Sequence, residues 1–363
     1  MRIVVIGGAG FVGQRTVEAL RALQGVEVEV AGRRGPVVVD VTRPETFGAL
    51  RGAAVVVDVS NGTRSAPDAL AAFCLAEGLT LLEATSDAEA VRRLADANEG
   101  SSGPGRVVLG AGIFTGLSQL LARDVADEAG AGCALTWAVS SSPYSGAGAG
   151  TIALMVDAAA RPAVVTRGGR RVTEPLGRGP TLSFAGASRP TLRASLAEAE
   201  LLPRSTKARD VECLMALRPG LLVSLFVLLP AFLARQRWFQ WLLEVGFTVL
   251  RRGLLHTVPT AVHMVARAER EGRVVERQLT CRDGMEVCGW AIAVMAEAVG
   301  KTPVRPGVSC IDEVVQLEPV LARLREVSGR ELVQVTPTAV VTASSSSPPV
   351  PHTTHTDRVR SGA

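Results

Sequence analysis

The stretch VVIGGAGFVGQRTVEALRAL, residues 4–23, restricts the possible folds more than any other part of the chain. An apolar, β-branched run breaks into glycines and resumes with helical periodicity, Val17, Leu20 and Leu23 lying on one side. Gly8, Gly10 and Gly13 fit the spacing G-x-G-x-x-G. Each glycine has its own reason in such a turn. Gly8 is expected to make the tight turn, Gly10 to let backbone approach a pyrophosphate, and Gly13 to let the helix lie close to the strand. The opening helix offers unpaired N–H groups and a positive dipole end to an anion. A strand before and an amphipathic helix after are the context the motif requires.

The segments that follow alternate. Strands are expected at 2–6, 26–31, 36–41, 53–59, 79–83 and 106–110, with helices at 14–23, 44–50, 66–77 and 87–97 between them. AAVVVDV, residues 53–59, reads as a strand covered on both faces. Short links and repeated alternation imply an α/β fold with a doubly wound parallel sheet of Rossmann type. With 363 residues there is chain enough for a second core. The expected division is a nucleotide-binding domain at 1–116, a mixed α+β substrate or dimerisation domain at 117–330, and a disordered tail at 331–363. From Thr336 onward TPTAVVTASSSSPPVPHTTHTDRVRSGA lacks a core pattern.

The end of the second strand distinguishes the dinucleotides. An NAD site carries an acidic residue there for the ribose hydroxyls. This chain reads Ala31-Gly32-Arg33-Arg34, two guanidinium groups suited to a 2′-phosphate. NADP(H) is therefore expected ahead of NAD(H). Gly8, Gly10, Phe11, Val12 and Gly13 are the candidate pyrophosphate contacts. Asp40 and Val41 end the third strand and would border the adenine. Ser60 and Asn61 end the fourth and would border the nicotinamide ribose.

Gly7, Gly10 and Gly13 also satisfy the glycine spacing of short-chain dehydrogenases, but those enzymes need a Tyr-x-x-x-Lys pair. The single tyrosine, Tyr144, is followed four residues later by Gly148, so that mechanism is excluded. The stretches VVIGGAGFVG, AGRR, VVVDVSNGT, VVLGAGIFTGLSQLLARDVA and SPYSGAGAGTIALM, in that order, resemble the saccharopine dehydrogenase-like family of NAD(P)-dependent oxidoreductases. The resemblance spans residues 1–330 and implies a Rossmann domain followed by a mixed α+β domain, with substrate between them. The family includes amino-acid-forming dehydrogenases and reductases of lipid-like substrates. Its members often carry proline before the glycine of the segment at 112–117, where this chain has Thr115.

SSSPYSGAGAGT is the candidate substrate loop, with Ser142, Ser145 and Gly146 placed to meet a carboxylate or the far end of the cofactor, ahead of a helix at 151–160. Tyr144 is the candidate proton donor. Among the other titratable residues, His263 in its apolar run reads as a core histidine, Asp283 as a turn residue, and Glu83 and Asp87 as caps of the helix after them. Strands at 261–269 and 274–281 and helices at 117–129, 284–299 and 314–327 complete the pattern. The expected chemistry is hydride transfer between nicotinamide and a C=N, C=O or C=C group; a non-catalytic NADP(H)-binding sensor or scaffold is the alternative.

A net charge of +4 without a basic cluster gives no case for nucleic acid. The six cysteines form no C-x-x-C pair and show no zinc spacing, which points to free thiols, a reducing cytoplasmic setting and no metal. Residues 219–255 are very apolar, yet Pro230, Glu244, Arg235 and Arg237 argue against a membrane span. Helices buried in the second domain or a homodimer interface, a wall for a lipid-like substrate, and a patch resting on a membrane remain open for this segment.

Overall fold

The computed structural model describes residues 1–60, 67–97, 103–141, 161–217, 236, 238–239, 241–242, 245–246, 249, 261–303 and 305–342. Six expected strands meet in one sheet: β1 (Arg2–Ile6), β2 (Glu27–Gly32), β3 (Val37–Val38), β4 (Val55–Asp58), β5 (Thr80–Glu83) and β6 (Arg106–Leu109). They run in the order β3-β2-β1-β4-β5-β6, and every adjacent pair is parallel. β4 and β5 are buried along their whole length. Val55, Val57 and Leu82 share a core with Val17 and Leu20 of α1 (Phe11–Arg21). Val56 and Leu81 face the other way, toward α2 (Pro67–Glu77) and α3 (Ala88–Ala97). Helices on both faces explain why these strands read as unbroken apolar runs. The chain winds outward in opposite directions from β1 and β4, so a crevice opens at the carboxyl ends of those two strands.

A seventh strand, Gly307–Cys310, extends the sheet in parallel beside β6. It is delivered by the helix Gly284–Lys301, which packs on α1 so closely that a Cβ on Gly289 would lie 2.8 Å from Cβ of Arg15. Arg106 fastens the other end of that helix, donating to the carbonyls of Val299 at 2.7 Å and Thr302 at 2.8 Å. Residues far beyond position 116 thus complete the first sheet. The apolar helix is legible in sequence, but the face it covers is not.

The second sheet is built from β7 (Ala134–Ser141), β8 (Ala163–Arg167), β9 (Arg170–Glu174), β13 (Asp210–Leu217), β14 (Val262–Arg270), β15 (Arg273–Cys281) and β17 (Val333–Thr342). Between them in the chain, β10 (Leu182–Phe184) and β11 (Ala187–Arg189) form a separate ribbon, and β12 (Leu192–Arg193) pairs with β13; β16 is the strand Gly307–Cys310. The order is β17-β15-β14-β7-β13-β8-β9, with β7 and β13 parallel and the other neighbours antiparallel. α4 (Ser118–Ala129) covers one face, its Leu121 and Val125 sharing a core with Met264, Ala266 and Leu279.

The tail expected from residue 331 is corrected over its first part. Val333–Thr342 is a strand, with Cys281 opposite Val333 and Gln278 opposite Thr336. Pro337, in the middle of the strand, conceals it in the sequence. It is tolerated because this is the edge strand of its sheet, paired on one side only. Residues 343–363 and the helix expected at 151–160 lie outside the described residues.

Candidate active site

The glycine turn leaves β1 at Gly7, whose φ of +80° is the left-handed value that the turn requires. The tight conformation thus falls on Gly7 rather than on Gly8, where it was expected. Gly8 serves packing: a Cβ there would sit 3.0 Å from Val30 and 3.2 Å from Val17. Gly13 does what its spacing implies, since a Cβ would come within 2.1 Å of the Gly7 carbonyl oxygen. Gly10 is different again. Its Cβ position meets only the Gly7 carbonyl oxygen, at 3.1 Å, and is otherwise open among the described residues. Gly10 N donates to that same oxygen at 2.8 Å, closing the turn. No described side chain caps α1, so the N–H groups of its first turn are left to a ligand. Phe11 and Val12 stand at that end. Phe11 is exposed, with the Arg15 guanidinium 4.4 Å from its ring centroid.

Arg33 and Arg34 follow the end of β2 and are exposed. Among the described residues neither has an ion-pair partner. Asp40 and Val41 lie after β3. The Asp40 carboxylate accepts the hydroxyl of Thr42 at 2.7 Å and its N–H at 3.0 Å, which hold its pKa below the usual carboxylate value; the Arg33 charge acts in the same direction.

The carboxyl ends of β4 and β5 carry acids that are not exposed. Asp58 ends β4 and Glu83 ends β5; the two are register partners, and each is 1% exposed. Strand alternation puts both on the face of Val56 and Leu81, beneath α2. Asp58 Oδ1 accepts the N–H of Ser60 at 2.8 Å, and Glu83 Oε1 that of Thr85 at 2.9 Å. Oδ2 of Asp58 and Oε2 of Glu83 have no hydrogen-bond donor among the described residues. Burial pushes the Asp58 carboxyl up to about 6. Burial, and then the charge of Asp58, push Glu83 well above the carboxylate range. Cys74 of α2 shares the layer, and burial drives its thiol up to about 12.

Beyond β6, Thr115 holds a φ of +58°, rare for a β-branched residue. Its N–H donates at 3.0 Å to Glu198, itself buried and with a raised pKa through burial. Its hydroxyl reaches the Thr85 carbonyl at 3.3 Å, and Gln119 donates to its carbonyl. A proline, fixed near −65°, does not fit this conformation.

The structure gathers Gly8, Gly10, Phe11, Val12, Gly13, Arg33, Arg34, Asp40, Val41 and Ser60 along the carboxyl edge of one sheet. Asn61, Ser142, Tyr144, Ser145 and Gly146 lie outside the described residues. His263 is half-buried on β14, Nδ1 lying 3.1 Å from Thr280 Oγ1. Asp283 is the N-cap of the helix Gly284–Lys301, accepting from Met285 at 2.9 Å and Glu286 at 3.0 Å, rather than only a turn residue. Asp87 caps α3 through the N–H of Ala90 at 2.7 Å, as expected. Glu83 does not cap and turns inward. Sequence reasoning misses Asp58, although a carboxylate inside AAVVVDV is a visible signal; it marks Thr115 only as a departure in the segment 112–117, and nothing in the sequence points to Glu198 as part of the site. Among the described residues no group of histidine, cysteine and acidic side chains could hold a metal ion.

No family model matches the chain, and no curated protein does. Among solved structures it is similar to an engineered D-amino acid dehydrogenase bound to NADP+, at 11% identity and a TM-score of 0.44, over 89% of this chain and 99% of that one. It is also similar to a dipicolinate-bound dihydrodipicolinate reductase from Paenisporosarcina sp. TG-14, at 11% identity and a TM-score of 0.38, over 87% and 99%. A Gfo/Idh/MocA family oxidoreductase from Vibrio cholerae gives 11% identity and a TM-score of 0.38, over 91% and 100%. None of these three is a saccharopine dehydrogenase. At such values the doubly wound assignment rests on this chain's own strand order.

Proposed function

We propose that the chain is an NADP(H)-dependent oxidoreductase that moves hydride between nicotinamide and a C=N, C=O or C=C group of a small molecule. The observation that carries this reading is the uncapped, glycine-opened helix at the β1/β4 crevice, with Arg33 and Arg34 where an NAD-binding acid would stand. Phe11, Val12 and the open side of Gly10 would meet the pyrophosphate, the arginines the 2′-phosphate, and the Ser60 turn the nicotinamide end. The cofactor supplies the hydride; these residues fix its position. The saccharopine dehydrogenase-like type, a lipid-like substrate and a substrate site in the second sheet are the finer form of the proposal, supported by the sequence stretches alone. Six unpaired cysteines fit a reducing, cytoplasmic setting.

Asp58, Glu83 and Glu198 are buried too deeply to touch substrate. That observation favours the second reading, an NADP(H)-binding sensor without turnover. NADPH oxidation measured over a panel of imines, keto acids and enoyl esters separates the two. Turnover on one class is the expected result. Tight NADPH binding with no turnover on any would establish the sensor.

A further inference from the structure

Two carboxyl groups stand side by side at the ends of β4 and β5, in a layer closed off by α2. Each uses one oxygen to hold the first turn of the loop leaving its strand, at Ser60 and at Thr85. Each has a second oxygen with no donor among the described residues. No described arginine or lysine donates to either. Among the described residues the other titratable group facing them is Cys74 on α2, a neutral thiol that offers no compensating charge. The ion pair between α2 and α3, Asp68 with Arg93, lies 3.5 Å apart on a half-exposed surface. Two buried carboxylates without a cation repel each other, and both lack solvation. One proton held by the pair removes the repulsion and leaves a single buried charge in place of two.

The two turns do not hang free. Ser60 lies directly against the glycine turn, since a Cβ on Gly7 would meet Ser60 N at 2.8 Å. Thr85 passes its carbonyl to Thr115, which Glu198 holds in turn. The carboxyl pair therefore sits beneath the turns that leave β4 and β5, which touch the glycine turn and Thr115 respectively.

We infer that Asp58 and Glu83 are positioning residues of the cofactor crevice: they share a single proton, and in that singly charged form they hold the turns at Ser60 and Thr85 in the arrangement that receives NADPH. The role assigned to the loops rests on the proposed NADP(H) function; the shared proton does not. When the second proton leaves, two anions occupy one dry layer, the turns at Ser60 and Thr85 are pushed apart, and the crevice loosens. Glu83→Gln replaces the protonated carboxyl by a neutral amide of the same shape whose oxygen still accepts from Thr85. It cannot lose a second proton, so the doubly charged arrangement is never reached on the alkaline side.

The test has two arms on the full chain. NADPH is titrated by fluorescence between about pH 6 and about pH 9, and wild type should weaken about tenfold or more, as one ionisation working against binding requires. Glu83→Gln should bind as wild type does at the acidic end and lose that pH dependence. In the second arm, the infrared carbonyl band of a protonated carboxyl is sought in wild type at neutral pH, with Glu83→Gln as its blank. A band present in wild type and absent from the variant supports the shared proton, even if NADPH does not bind at all; that last result would sink the NADP(H) reading alone. NADPH binding without such a band, or an unchanged pH profile in Glu83→Gln, overturns the proposal.

Discussion

At the scale of single residues, the glycines of one turn separate into conformational, packing and ligand-facing roles, and the separation is measurable. Gly10→Ala points a methyl group into space that, among the described residues, only the Gly7 carbonyl borders, so stability should change by no more than about 1 kcal/mol. NADPH affinity should fall at least about tenfold, because the methyl group occupies the pyrophosphate approach. Gly13→Ala should do the reverse damage, since its Cβ overlaps the Gly7 carbonyl and overpacking of this kind costs about 1–3 kcal/mol or more. Thermal melts beside NADPH titrations distinguish them; equal stability loss in both would remove the assignment. Replacing Arg33 and Arg34 together by alanine should weaken NADPH by about 1.5–3 kcal/mol and leave NADH almost unchanged, because only NADPH carries the 2′-phosphate. Equal weakening of both cofactors would show that these arginines read something else. The buried acids set an unusual pH dependence. Asp58 is raised to about 6 and Asp312 to about 7, in each case first by burial. A folded-state pKa above the unfolded one means that the folded chain binds the proton more tightly. The stabilisation is complete below about pH 4 and is lost as pH rises through about 6 to 7; each pH unit separating the folded from the unfolded value is worth about 1.4 kcal/mol. Denaturant midpoints should fall over that window, and Asp312→Asn should flatten the fall.

At the scale of elements, β17 is the most instructive. It is an edge strand interrupted by a proline, yet Leu332 and Val333 are buried where it joins β15. Ending the chain after Glu331 should cost about 2–4 kcal/mol through lost apolar burial and ladder bonds. It also leaves β15 as a new edge, so the truncated chain should associate more readily. Chemical denaturation and light scattering check both; a truncation as stable and as monodisperse as the full chain would mean that β17 contributes nothing. The helix Gly284–Lys301 makes a related point. Its periodicity marks a buried helix, but its position against α1 depends on Gly289, whose missing side chain admits Arg15.

At the scale of the whole molecule, the apolar segment 219–255 falls mostly outside the described residues. Among those described within it, Trp238, Trp241, Leu242, Val245 and Val249 are exposed, Trp241 to 63%. At helical spacing they fall within an arc of about 100°. No helix among the described residues is long and apolar enough to cross a membrane. Arg235, Arg237, Arg251 and Arg252 flank the stripe in sequence. The expected behaviour is soluble expression with weak, reversible affinity for anionic lipid. Flotation with phosphatidylglycerol-containing vesicles should recover part of the wild-type chain and none of a Trp238→Glu/Trp241→Glu variant. A dimer that the same variant splits, without any flotation, would assign the stripe to a homodimer interface instead. Protein extractable only with detergent would defeat the cytoplasmic proposal.

What depends on neighbours along the chain is legible in the residues: the strand–glycine–helix opening, the alternation that makes a doubly wound parallel sheet, the two guanidinium groups in place of an acid, and the hairpin β14–β15. These features arise from backbone conformation and from the period of apolar residues, both of them local. Which distant segments complete each sheet emerges only from the folded chain. β16 lies beside β6 and β17 beside β15, and pairing at the edge of a sheet needs little sequence specificity. The fold likewise assigns the left-handed turn to Gly7 rather than Gly8. It also brings Asp58 and Glu83, twenty-five residues apart, into one buried layer. Their proximity comes from the register of two parallel strands joined through a helix, and no spacing rule along the chain encodes that register.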